Sequence, residues 1–271
     1  MAQTLTADYV IVGAGATALA FADTMLSESD ASMIIVDRRT APGGHWNACY
    51  PFVRLHGPSL NYGVNSRELG TEDTDVDGFN RGLHQLAAGA DVRAYFHAVM
   101  AERLLPSGRV QYLLSHEYAD GVATGADGVT VKLEARKKVV DATYTGTQLP
   151  NEQPPPFTVA PGVRCMPPHA LESADASAPY VVIGAGKTAM DTVVWLIGQG
   201  VAADRITWIR PRDAWILPRE TVQPSYAFFA ETFGAIVAST EAARDASDTA
   251  DLFARLEQGG LLSRIDQRVT P

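Results

Sequence analysis

The chain has 271 residues, 46% of them hydrophobic, which supplies a sizeable core for one or two domains. Its formal net charge of −9 argues against nucleic acid or an anionic membrane surface as the main partner, while allowing a local basic pocket for phosphates. No apolar run approaches the roughly 20 residues that span a bilayer, and no basic region followed by an apolar stretch opens the chain, so a cytoplasmic location is expected. The two cysteines, Cys49 and Cys165, lie far apart and form neither a disulfide framework nor a Cys-x-x-Cys pair. No metal site is expected.

Tyr9-Val10-Ile11-Val12 is a short, unalternating, β-branched run that predicts a strand buried on both faces. Ala16 to Leu26 follows with helical spacing, and Ser32 to Val36 is a second buried strand closed by Asp37. Strand, helix and strand within about 30 residues make a βαβ unit. Ala41 to Ser66 is a long loop rich in Gly, Pro and Asn; such loops are usually functional or disordered, and its aromatics Trp46, Tyr50, Phe52 and Tyr62 argue against disorder. Asp91 to Leu105 places Val92, Tyr95, Phe96 and Val99 on one helical face. Val110–Leu114, Val129–Leu133 and Val139–Asp141 predict strands, with Asp127-Gly128 as a turn.

Asn151 to Pro168 is proline-rich and predicts a linker. The opening pattern then recurs, with a strand at Tyr180–Ile183, a helix at Lys187–Gly198 and a strand at Arg205–Ile209. Tyr226–Ser239 and Thr249–Gln258 predict helices, the second stopped by Gly259-Gly260. No third strand of the second unit is visible. The expected organisation is therefore α/β, with a Rossmann-like domain at 1–150, a linker at 151–178 and a second, incomplete Rossmann-like domain at 179–271.

Two glycine motifs carry the chemistry. Gly13-Ala14-Gly15-Ala16-Thr17-Ala18 follows the first strand. Gly13 permits the tight turn, Gly15 lets backbone approach a pyrophosphate, and Ala18 lets helix and strand pack closely. The pyrophosphate would rest on the helix N-terminus at Ala16 and Thr17. Asp37 lies 24 positions after Gly13, where its carboxylate can accept hydrogen bonds from the adenosine ribose, with Arg38 beside it. The second motif is Gly184-Ala185-Gly186-Lys187-Thr188-Ala189. A P-loop would need glycine at Val181, so Gly186-Lys187-Thr188 is not read as an ATP site. The second strand here ends in Arg210-Pro211-Arg212 with no acid. Arginines suit a 2′-phosphate that a carboxylate would repel. The acid assigns FAD to the first site, and the arginines assign NADPH to the second.

Two such motifs about 170 residues apart resemble the two-dinucleotide-binding-domain flavoproteins. The loop after Asp37 is similar to that of class B flavin monooxygenases, whose Gly-Gly-x-Trp corresponds to Gly43-Gly44-His45-Trp46. In their Baeyer–Villiger branch Tyr-Pro-Gly-x-Arg-x-Asp follows, where this chain has Tyr50-Pro51-Phe52-Val53-Arg54-Leu55-His56. Val139 to Gly146 resembles the strand and Ala-Thr-Gly turn that leads out of their flavin domain. Two departures stand out: the Phe-x-Gly-x-x-x-His fingerprint is absent, and His56 stands where the branch has aspartate. Disulfide reductases share the plan but need a cysteine pair near the flavin, and Cys49 has no second cysteine nearby.

The resemblance implies an FAD- and NADPH-dependent oxidoreductase, with monooxygenation of a small organic substrate as the expected outcome. The rival is a flavin-binding protein without redox turnover. The flavin ring is expected near Gly44, His45 and Trp46 and the rest of the loop to Tyr62. No catalytic residue is assigned; Arg54 and His56 are the candidates. The missing third strand predicts that self-association, a partner chain or a downstream polypeptide completes the fold.

Overall fold

The computed structural model describes residues 3–144 and 152–269. The expected turn residues Thr145 and Gly146, and Asn151 at the head of the linker, lie outside the described residues. The described residues form two compact units, and the chain alternates between them. One unit comprises Met1–Cys49, Tyr62–Leu69 and Ala87–Val163; the other comprises Tyr50–Asn61, Gly70–Leu86 and Arg164–Pro271.

The first unit is built on β1 (Gln3–Val12), α1 (Ala16–Glu28), β2 (Met33–Asp37), a small hairpin of β3 (Gly63–Val64) and β4 (Arg67–Glu68), α2 (Gly89–Ala98), β5 (Val110–Leu114), β6 (His116–Ala119), β7 (Val122–Gly125) and β8 (Thr130–Asp141). Six of the strands form one sheet in the order β5-β2-β1-β8-β7-β6. The first four are parallel, and β7 and β6 add on antiparallel. All five residues of β2 are buried, as an unalternating central strand requires. Register pairs Val12 with Val36 on one side and with Asp141 on the other. Gly13, Asp37 and Ala142 therefore stand together at the carboxyl ends of neighbouring strands, where open α/β sheets bind ligands.

The last parallel strand and the end of α2 differ from the sequence expectation, as does the helix expected at Tyr226–Ser239, which is a 3-10 turn, Tyr226–Phe228, followed by a helix at Phe229–Asp245. The strands expected at Val129–Leu133 and Val139–Asp141 are one strand, β8, which runs through Arg136, Lys137 and Lys138. A bulge between Ala7 and Tyr9 accommodates this, and Asp8 accepts hydrogen bonds there from Arg136 (3.2 Å) and the Ser32 backbone (2.9 Å). Those contacts hold the Asp8 carboxyl well below the usual carboxylate range. The helix expected to reach Leu105 is α2 followed by a π-helical stretch, Val99–Leu104, and a 3-10 turn, Leu105–Ser107.

Inside this unit a buried carboxylate ties α1 to the β3–β4 hairpin. Asp23 accepts from the Ser66 N–H (2.9 Å) and hydroxyl (2.5 Å), and from Arg103 (3.3 Å). A fully buried acid is tolerated because its oxygens are all engaged.

The second unit contains β9 (Tyr180–Ile183), α3 (Lys187–Gly198), β10 (Ile206–Ile209), α4 (Phe229–Asp245) and α5 (Thr249–Gln258). β9 and β10 pair in parallel and, among the described residues, form a sheet of two. Val182, Ala189, Leu196 and Val201 make its small core. The segments before Leu86 that belong here are held by long-range contacts. Phe52 stacks on Trp195 with ring centroids 4.7 Å apart, the His84 N–H donates to Gln223 (3.0 Å), and Arg219 donates to Asn80 (3.3 Å). These contacts are why the contacts do not divide the chain at one break within 151–178: residues 50–61 and 70–86 pack with the C-terminal elements, and Val163 closes the first unit.

Candidate dinucleotide sites

In the first unit the backbone leaves β1 at Gly13, with φ +99° and its N–H donating to the Val36 carbonyl (2.7 Å). A side chain at Gly13 would lie 3.0 Å from the Thr143 methyl, so the turn allows glycine on both conformational and steric grounds. α1 begins at Ala16, has no side-chain cap and carries no acid in its first turn. No side-chain cap therefore competes for its first N–H groups at the positive end of its dipole, which suits an anion there. Ala16 is half-buried, Thr17 is exposed and Ala18 is fully buried against the sheet.

Asp37 is 7% exposed. One carboxylate oxygen accepts from the Ala14 N–H within the glycine turn, and the other accepts from the Arg39 N–H at 2.6 Å. The carboxylate therefore fixes the turn as well as standing beside it. Each oxygen retains a lone pair, so acceptance from a ribose hydroxyl remains open to it. Arg38 is exposed and lines a cavity of about 390 Å³ with Thr40, Ser115, Glu117 and Thr124.

The Gly43-Gly44 pair closes over this turn. Gly43 donates to the Ala14 carbonyl (2.8 Å), and a side chain at Gly44 would lie 3.0 Å from the Gly15 Cα. Gly44 also has φ +57°. The next residues form a 3-10 turn, Gly44–Ala48. Trp46 is buried there and donates from Nε1 to the Tyr62 hydroxyl (2.7 Å), while the rings of Tyr62 and Phe96 meet edge to face. His45 lies against Trp46, with centroids 5.3 Å apart. Burial first, and then the positive charge of Arg39, hold the His45 pKa below its ordinary 6.5.

Tyr112 on β5 was not among the residues singled out by motif. Its hydroxyl is buried with no hydrogen-bond partner, and burial together with the negative charge of Asp37 raises its pKa. It sits in register with Ile35, two residues before Asp37, a placement that only the strand order reveals.

The second unit repeats the turn. Gly184 has φ +137°, its N–H donates to the Ile209 carbonyl (3.0 Å), and a side chain there would be in contact with Ala189 at 3.5 Å. Space around Gly186 is open, and α3 has no side-chain cap. Thr188 is half-buried, its carbonyl accepting from the Thr192 hydroxyl (2.7 Å). Two of the basic residues expected here are engaged by acids. Lys187 pairs with Asp191 one helical turn on, and Asp191 also accepts from the Tyr50 hydroxyl (2.7 Å). Arg210 bonds Asp213 (3.1 Å), approaches Asp266 (3.9 Å) and lies over the Trp208 ring. Arg212 is exposed. Both partners lie close in sequence, Asp191 at i,i+4 from Lys187 and Asp213 at i,i+3 from Arg210.

Of the two catalytic candidates, Arg54 is exposed and donates to the Leu86 carbonyl (3.0 Å). His56 is exposed, and its carbonyl accepts from Arg219 (3.3 Å). Both belong to the second unit, whereas His45, Trp46 and Tyr62 belong to the first. The loop expected to surround one ring is thus shared between the units. Among the described residues no cluster of three metal-ligating side chains occurs, and no helix is long and apolar enough to cross a membrane.

Residues 11–95 match the family model of an NAD(P)-binding Rossmann-like domain. Uncharacterized proteins of Mycobacterium tuberculosis and Mycobacterium bovis are each 46% identical over 274 residues, an alignment covering 100% of this chain and 50% of theirs. The chain spans about half the length of these relatives. A flavin-containing monooxygenase from Stenotrophomonas maltophilia superposes with a TM-score of 0.50 at 17% identity, over 76% of this chain and 58% of its own. Residues 11–95 are thus similar to NAD(P)-binding Rossmann-like domains, in an α/β chain that shares its fold with a flavin-containing monooxygenase.

Proposed function

We propose that the chain is the dinucleotide-binding part of an oxidoreductase that takes FAD on its first glycine motif and NADPH on its second. The observation that carries this is the carboxylate of Asp37, held at the end of β2 beside an uncapped helix N-terminus. That pairing suits a dinucleotide with a free ribose: the helix end takes the pyrophosphate, and the acid takes the hydroxyls. Gly13, Gly15, Ala16, Thr17, Ala18 and Asp37 would hold the adenosine diphosphate half of FAD, with Arg38 at its rim. Gly44, His45 and Trp46 would shape the approach to the ring. Once bound, flavin supplies a relay for two electrons between NADPH and a second acceptor.

In the second unit Gly184, Gly186 and Thr188 would receive the NADPH pyrophosphate, with Lys187 beside it. Arg212 is the better candidate for the 2′-phosphate, because Arg210 is bound to Asp213. Oxygen insertion into a small organic substrate is the favoured outcome, in a cytoplasmic enzyme. The rival, flavin binding without turnover, draws support from the acids that already engage Lys187 and Arg210.

The test is an absorbance spectrum of the purified, flavin-loaded protein before and after NADPH under air. Bleaching with NADPH consumption supports the redox reading. A flavin spectrum unmoved by NADPH supports the rival, and a protein that retains no flavin removes both.

A further inference from the structure

A lysine is poorly placed at the start of a helix. Lys187 is the first residue of α3, where unpaired backbone N–H groups and the positive end of the dipole disfavour a cation, and no acid stands in the first turn. Asp191, one turn on, offsets this only in part. With the lysine N-terminal, the pair has the weaker of the two i,i+4 orders, and its side chains are 33% and 26% exposed. A phosphate at the Gly184–Gly186 turn would meet the free N–H groups and offer the same ammonium a charge-assisted hydrogen bond.

A third side chain lets the ammonium change partners. Tyr50, 7% exposed, donates its hydroxyl to Asp191 Oδ2 (2.7 Å) and accepts from Lys187 Nζ (3.3 Å). All three residues belong to the second unit. Phe52, two residues after Tyr50, stacks on Trp195, one turn beyond Asp191, and so holds the Tyr50 segment to α3 without help from the lysine. When Lys187 turns away, Tyr50 still bonds the Asp191 carboxylate, which is therefore not stranded.

We infer that Lys187 is a movable phosphate ligand whose resting partner is Asp191, and that Asp191 sets the affinity of the second glycine motif by competing with the dinucleotide for the ammonium. The inference rests on the reading of that motif as a pyrophosphate site. Asp191 is then a positioning residue that acts through Lys187, and Tyr50 is the group that keeps the carboxylate in place.

The test titrates NADP+ into the flavin-loaded protein by isothermal calorimetry, with Asp191→Asn, Lys187→Met and the double variant alongside. Asparagine drops the charge and keeps an acceptor for the Tyr50 hydroxyl; Asp191→Ser gives the same comparison should the asparagine variant fail to fold. Asp191→Asn should tighten binding about threefold, the worth of a partly exposed ion pair. Lys187→Met should weaken it at least about tenfold, as loss of a charge-assisted hydrogen bond does. In the Lys187→Met background the gain from Asp191→Asn should vanish, because no ammonium remains to be released. A gain of equal size in both backgrounds would be plain charge repulsion and overturns the inference. Binding by the unmodified chain that Asp191→Asn leaves unchanged overturns the inference alone. No binding by any of these proteins overturns it together with the pyrophosphate reading.

Discussion

The carboxylate of Asp37 accepts a hydrogen bond from the backbone N–H of Ala14, binding the end of the second strand to the turn that follows the first. The acid that would recognise the ribose therefore also sets the shape of the glycine turn. Asp37→Ala should remove both functions. Flavin retention should fall at least about tenfold, since one charge-assisted hydrogen bond is worth ~1.5–3 kcal/mol. Urea unfolding of the apoprotein should show a separate loss of about 1–3 kcal/mol from the stranded N–H groups. Retention unchanged in a folded variant would remove the ribose assignment.

Gly44 is predicted to be intolerant of even one methyl group. Alanine there must hold φ +57° and bring its Cβ to 3.0 Å from the Gly15 Cα. The left-handed conformation alone costs about 1–2 kcal/mol, and the contact adds to it. Thermal melts of Gly44→Ala and of Gly57→Ala, at a position with open space around it, give the comparison. Equal midpoints would show that the Gly43-Gly44 turn can move off the first motif.

The two arginines after β10 should separate cleanly. Arg212→Ala should narrow the preference for NADPH over NADH, read as the ratio of kcat/KM values, and leave the melting temperature alone. Arg210→Ala should lower the melting temperature by several degrees, because it takes the guanidinium from Asp213, whose side chain is 1% exposed and keeps only the Ala214 and Asp266 N–H groups. Loss of cofactor preference with Arg210→Ala at unchanged stability would reverse these assignments.

His45 gives a pH signature. Its folded-state pKa lies below 6.5, so in the window between that value and 6.5 the unfolded chain binds more protons than the folded one. Stability should therefore rise with pH through that window and be lost as pH falls through it. Urea titrations between about pH 5 and about pH 7 should show a shallower slope for His45→Gln than for the unmodified chain. Identical slopes would place the dependence on another group.

What was legible in the sequence is what depends on neighbours in the chain. β9, α3 and α5 fall at their expected residues, because apolar period and flanking glycines set them locally. Both glycine motifs form strand–turn–helix units for the same reason. β8 was not legible as one strand: the basic run Arg136, Lys137 and Lys138 lies between its two apolar stretches, and pairing with β1 across the Asp8 bulge carries the strand through it. The short strands β6 and β7 lack an apolar run of their own. At the candidate sites, residue types and positions were readable, but their partners were not. Nothing in a local window says that Asp37 bonds Ala14, that Asp266 approaches Arg210, or that the Tyr112 hydroxyl is buried near Asp37.

The interleaving of the two units also limits how the molecule can be taken apart. The chain passes from one unit to the other at residues 49–50, 61–62, 69–70, 86–87 and 163–164. A gene cut after Val163 would leave Tyr50–Asn61 and Gly70–Leu86 on the fragment that does not need them. The fragment that does would lose the ring stacked on Trp195 and the backbone that Gln223 binds. No single protease nick or truncation yields both units intact, and swapping one unit for a homologue's means transplanting three segments together.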